Sequence, residues 1–180
     1  MKFIAGIGSR ETPPNILEEM KKIGQHCQKI KVVIRSGHAD GADWAFEQGA
    51  QDFCIAYIPW KDFNTHLQSK ARLWVPTFSD ELMKTVSRFH PAPEKLTYGV
   101  QRIMARNACQ ILGRDLKEPS ECVVCWTPDG KDSGGTGQAL RIAEHHKIPI
   151  LNMYHEEWNT AAKVIDYLDK NVKTKYKPRR

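Results

Sequence analysis

The stretch that most constrains this chain lies between an apolar run and a helix-like segment. Val32-Val33-Ile34 leads into Arg35-Ser36-Gly37-His38-Ala39-Asp40-Gly41-Ala42-Asp43, and Trp44-Ala45-Phe46-Glu47-Gln48-Gly49-Ala50 follows. A short apolar run closed by glycines reads as a buried strand, then a tight turn, then the N-terminus of a helix over 42–50. Ser36, Asp40 and Asp43 are candidate caps, because each side chain can accept from N–H groups left free in a first helical turn. Gly37 and Gly41 permit positive φ and a close approach to the main chain. Such a turn aims free N–H groups and the positive end of the helix dipole outward, which suits a phosphate. It serves equally as a capped connection with no ligand.

The same device occurs twice more. Phe3-Ile4-Ala5-Gly6-Ile7-Gly8 reads as a strand into a glycine turn. Ser9-Arg10-Glu11-Thr12-Pro13-Pro14 follows, with Thr12 expected as N-cap and Pro13 as the first residue of a helix over 13–29. Ser133-Gly134-Gly135-Thr136-Gly137 opens a helix expected over 138–146. Further strands are expected at 53–58, 121–126 and 148–152, and further helices at 96–112 and 156–168. Strand and helix patterns in alternation predict an α/β fold: an open, mostly parallel sheet with helices on both faces. Ligands of such sheets bind beyond the C-terminal ends of the strands. Residues 60–95 interrupt the rhythm with Trp60, Phe63, Trp74, Phe78 and Phe89, and read as an accessory or lid segment around a short helix near 79–88. Its aromatics either stack on a ligand or pack as core.

The net charge of +6 comes from 27 basic and 21 acidic residues among 180. Lys170, Lys173, Lys175, Lys177, Arg179 and Arg180 supply the whole excess, so a charge-balanced domain over 1–169 precedes a basic tail over 170–180. The tail is either a solvated terminus or a contact for single-stranded nucleic acid through its phosphates. No apolar run approaches the roughly 18 residues of a membrane span, so no membrane partner and a cytoplasmic location are expected. Five scattered cysteines read as reduced, buried thiols. Cys122 and Cys125 would point to opposite faces of a strand, so no metal site is expected.

Gly6-Ile7-Gly8-Ser9-Arg10-Glu11 lacks the third glycine of a dinucleotide fingerprint, and no Gly-Lys-Ser/Thr closes any turn. No cofactor is therefore expected, nor an ATPase or GTPase. Ser36-Gly37-His38-Ala39-Asp40-Gly41-Ala42-Asp43 resembles the SGxAxGxD signature of DprA/Smf proteins, and Gly8-Ser9-Arg10 their phosphate-contact segment. Ser133-Gly134-Gly135-Thr136-Gly137 is similar to the PGGxGT loop of the LOG nucleotide hydrolases. Together these motifs resemble the SLOG superfamily, which implies a Rossmann-like fold and a nucleotide or nucleic-acid phosphate held in the crevice of the three loops. Homo-oligomerisation is implied as well.

On that resemblance Gly8, Ser9, Arg10, Ser36, Gly37 and Gly41 would hold one phosphate. Gly134, Gly135, Thr136 and Gly137 would hold a second phosphate or the ribose end. Ala39 belongs to the same loop, and Arg106, which matches the arginine of the LOG MxxRK motif, would add charge. Asp40 and Asp43 would cap the helix or accept from ribose hydroxyls. The position of the LOG catalytic glutamate is Arg141 here, and a cation cannot stabilise an oxocarbenium-like centre; no catalytic residue is assigned. His38 reads either as an acid or base or as an exposed turn histidine. The expected function is binding of a nucleotide-like small molecule. Phosphoribohydrolase activity on nucleoside 5′-monophosphates and DprA-like single-stranded DNA binding stand as alternatives.

Overall fold

A computed structural model describes residues 1–172. The expected basic tail therefore lies, from 173 onward, outside the described residues; Lys170 sits on the last helix and pairs with Asp166 at 2.6 Å.

Six strands form one sheet in the order β4-β3-β2-β1-β5-β6, and all five pairings are parallel. The strands are β1 (Lys2–Gly6), β2 (Val32–Ser36), β3 (Cys54–Tyr57), β4 (Arg72–Trp74), β5 (Val123–Cys125) and β6 (Ile150–Asn152). The helices are α1 (Pro14–Ile30), α2 (Ala42–Ala50), α3 (Asp80–Phe89), α4 (Tyr98–Leu112), α5 (Gly134–His145) and α6 (Ala161–Asn171). Parallel strands need crossovers, and helices on both faces supply them everywhere except between β3 and β4, whose connection over 58–71 holds no helix.

Alternation along the strands sorts side chains into two cores. Ile4, Ile34, Ala56 and Val124 face α1, α2 and α6. Their sequence neighbours Ala5, Tyr57, Val123 and Cys125 face α3, α4 and α5. Phe46 of α2 is wholly buried in the first core, a burial that stabilises by about 1.5–3 kcal/mol. α1 and α2 meet at two glycines: a Cβ on Gly24 would lie 2.7 Å from the Phe46 carbonyl oxygen, and one on Gly49 would strike that of Lys21.

The chain runs outward from β1 through β2 and β3 to β4, then returns to place β5 on the other side of β1. That reversal opens a crevice at the C-terminal ends of β1 and β5, and it positions the site.

Several expectations change. The segment 60–95 contributes β4 to the sheet edge, and Phe78 and Phe89 of that segment pack against the second core. The N-cap of α1 is Pro13, with Pro14 as the first helical residue, while the Thr12 hydroxyl donates to the Ser9 carbonyl at 2.6 Å. Residues 134–137 form the first turn of α5 rather than preceding it. The last helix begins at Ala161, not near 156. All five cysteines are free and buried, and burial pushes the thiols of Cys27, Cys109 and Cys125 up to about 12. No group of three or more metal-ligating side chains occurs among the described residues.

Candidate functional site

The three glycine turns converge on one cleft of about 550 Å³, inside the roughly 300–1,000 Å³ span of small-molecule sites. The Ser9 backbone ties the β1 turn to the end of β5 and to the start of α2. Its N–H donates to the Trp126 carbonyl after β5 at 3.1 Å, and its carbonyl accepts from Ala42 N–H at the start of α2 at 3.4 Å. Gly8 is required by this junction, since a Cβ there would lie 2.7 Å from the Ala42 Cβ.

Of the residues singled out in the sequence, Gly8, Ser9 and Arg10 line the cleft from the β1 turn, and Ala39, Asp40 and Asp43 from the β2 turn. Arg106 lines it from α4, and Gly134, Gly135 and Thr136 from α5. Ser36, Gly37, Gly41 and Gly137 do not line it. The Ser36 hydroxyl is buried and donates to Glu47 Oε1 at 2.7 Å. Gly37 makes room for Arg106, whose guanidinium a Cβ would strike. Gly41 has φ 82° and packs on the backbone of Ser9 and Arg10, and Gly137 packs on the Asp132 carbonyl.

The capping expectation is corrected. α2 begins after Gly41 with no side-chain cap. Asp43 reaches back instead, and its Oδ2 accepts from Gly37 N–H at 3.0 Å. Asp40 meets His66 Nε2 at 3.0 Å on the surface. His38 is not an exposed turn residue. It takes a left-handed backbone with φ 57°, and its buried ring places Nδ1 2.9 Å from Glu47 Oε2.

Arg106 is the electrostatic centre. It is 6% exposed, and its Nη1 donates to Asn107 Oδ1 at 2.7 Å and Gln110 Oε1 at 2.9 Å. Its Nε is buried with no hydrogen-bond partner. Burial draws the guanidinium below its ordinary value, and the neighbouring Asp43 opposes that. The Asp43 carboxyl is pushed up to about 7, by burial first; Arg106 pulls the other way, and Glu47 adds to the rise.

Asn107 and Gln110 are cleft residues that the sequence reading passed over. Asn107 Nδ2 donates to the Gly135 carbonyl at 3.0 Å and so anchors α5 to α4. Their signal was three polar residues, at 106, 107 and 110, on the otherwise apolar stripe of α4. At the N-terminus of α5, Ser133 makes no side-chain cap. A Cβ on Gly135 would meet only Met104 Cε, at 3.5 Å. The protein's own packing therefore does not demand that glycine. Arg141 lies elsewhere: its Nε donates to the Phe89 carbonyl at 2.6 Å and its Nη1 pairs with Asp132 at 3.1 Å.

No protein-family model matches the sequence, and no curated protein matches it. Solved structures do. DNA processing protein A from Helicobacter pylori, described for its single-stranded DNA binding mode, aligns with a TM-score of 0.60 and 17% identity over 94% of this chain and 72% of that one. The molybdenum cofactor binding protein from the phototrophic bacterium Rippkaea orientalis aligns with the same score and identity, over 94% and 96%. At this identity the likeness shows the fold alone, a Rossmann-like α/β domain on a parallel six-stranded sheet, and what those two proteins bind is theirs. No helix among the described residues is long and apolar enough to cross a membrane.

Proposed function

We propose that this SLOG-type domain binds a nucleotide or nucleotide-derived ligand through its phosphate, in the cleft between the β1 and β5 turns. One observation carries the reading. A buried arginine with an unpartnered Nε, Arg106, opens on the same cleft as the uncapped first turn of α5. A buried donor without an acceptor costs about 1–3 kcal/mol, and an anion at a helix N-terminus gains from both the free N–H groups and the dipole. Gly134, Gly135 and Thr136 would cradle the phosphate, with Arg10 at the mouth adding charge. Ser36, Gly37 and Gly41 would shape the wall behind it.

The test is mass spectrometry of small molecules released on denaturing the purified protein, for wild type and Gly135→Asp. The substitution adds a carboxylate to a position with steric room. A phosphate-bearing nucleotide recovered from wild type only supports the reading, and equal recovery from both proteins contradicts it. Light scattering of the same samples checks the homo-oligomer that the resemblance implies.

Asp43 favours a second reading. A buried carboxyl with a value near 7 beside an arginine suits acid–base work, as nucleoside 5′-monophosphate hydrolysis at the N-glycosidic bond would need. Release of free base from a nucleoside monophosphate, abolished in Asp43→Asn, is the result this reading requires.

A further inference from the structure

We infer that the cleft carries a separate ring-binding subsite, formed by Phe63 with Val100 and Ile103, which makes a mononucleotide rather than a sugar phosphate its ligand. The inference rests on the phosphate reading above and extends it along the cleft. All three side chains are apolar, only half-buried, and open on the same cleft as Arg106 and Gly135. Apolar surface left wet inside a polar-lipped cleft marks a place where a ligand covers it.

The spacing along α4 fits such a ligand. Asn107 touches Gly135 at the proposed phosphate end, and Met104 adjoins it. Ile103 and Val100 lie one and two turns further toward the N-terminus of α4. At 1.5 Å per residue, the seven positions from Asn107 to Val100 cover about 10 Å, the reach of a mononucleotide laid out from phosphate to base.

Phe63 is also held in place. The next residue, Asn64, has φ 49° and donates from Nδ2 to the His38 carbonyl at 2.9 Å. On the other side the Trp60 ring meets Phe63 edge-on, with centroids 5.4 Å apart. A left-handed residue and a bond into the β2 turn together fix an aromatic ring at the cleft wall.

The experiment is calorimetric titration of wild type, Phe63→Ala, Phe63→Tyr and Gly135→Asp with the four ribonucleoside 5′-monophosphates and with ribose 5-phosphate. Wild type should prefer at least one nucleotide over ribose 5-phosphate. Phe63→Ala should weaken that nucleotide by about 5- to 150-fold, the range of a lost base–aromatic stack, and leave ribose 5-phosphate unchanged. Phe63→Tyr, which keeps the ring, should restore the preference. If Phe63→Ala weakens both ligands equally, or neither, the ring subsite is wrong while the phosphate reading stands. If wild type binds none of these ligands, or Gly135→Asp binds them as tightly, both fail.

Discussion

Asp43→Asn isolates the cost of a buried carboxylate from the work of the loop it holds. The side chain is 3% exposed, and its value rises from 3.8 to about 7, through burial above all. Between those two values the folded protein keeps a proton that the unfolded chain has released. Its contribution to stability is thus fully present below about pH 4, falls as pH rises, and is lost above about pH 7. From pH 5 to 8 the change spans the two units between pH 5 and 7, at about 1.36 kcal/mol each, or about 3 kcal/mol. Asparagine has nearly the same shape, retains an oxygen to accept from the Gly37 N–H, and does not titrate. Urea unfolding followed by tryptophan fluorescence, at each pH unit from 5 to 8, should show the variant gaining on wild type by about that amount. A stability difference that stays constant with pH, or that moves in favour of wild type as pH rises, refutes the reasoning.

The same titration reaches the cleft. Protonating Asp43 removes a negative charge that faces Arg106, so the affinity for sulfate, a phosphate-shaped anion whose own charge is constant over this range, followed by equilibrium dialysis, should be higher at pH 6 than at pH 8. Gly49→Leu drives a side chain into the Lys21 carbonyl at the α1–α2 crossing and should lower stability by about 3 kcal/mol in urea unfolding. A chain ending at residue 172 lacks the cations Lys173, Lys175, Lys177, Arg179 and Arg180. It should bind nucleotide as wild type does in calorimetry, because the proposed site lies wholly in the cleft.

The strand–turn–helix around Gly37 was legible because its signals are local: an apolar run, glycines where the chain turns, and a helix whose expected span, 42–50, is the one observed. β4 was not, because Arg72-Leu73-Trp74 is a three-residue edge strand with two exposed residues and no alternation to read. The start of α5 was placed late because glycine is a poor helix former. An N-terminal turn tolerates it, and the cleft makes use of its missing side chain. The cleft itself was partly legible. Residues from each of the three turns line it, but Ser36, Gly37, Gly41 and Gly137 do not, and Ser36 and His38 turn inward to Glu47 of α2, a pairing that no spacing rule announces. Phe63 belongs to a segment without a motif, and only the folded chain shows that it opens on the same cleft as α4.

The measurement that bears most directly on the phosphate site is a two-dimensional ¹⁵N NMR titration of the protein with a nucleoside 5′-monophosphate. The backbone amides of Ser9, Gly134, Gly135 and Thr136 and the Nε–H of Arg106 should shift together, with one saturation curve, while Lys31, just before the N-terminal end of β2 and so at the opposite end of the strands, stays put. Shifts that leave the first turn of α5 and Arg106 unmoved would contradict the account.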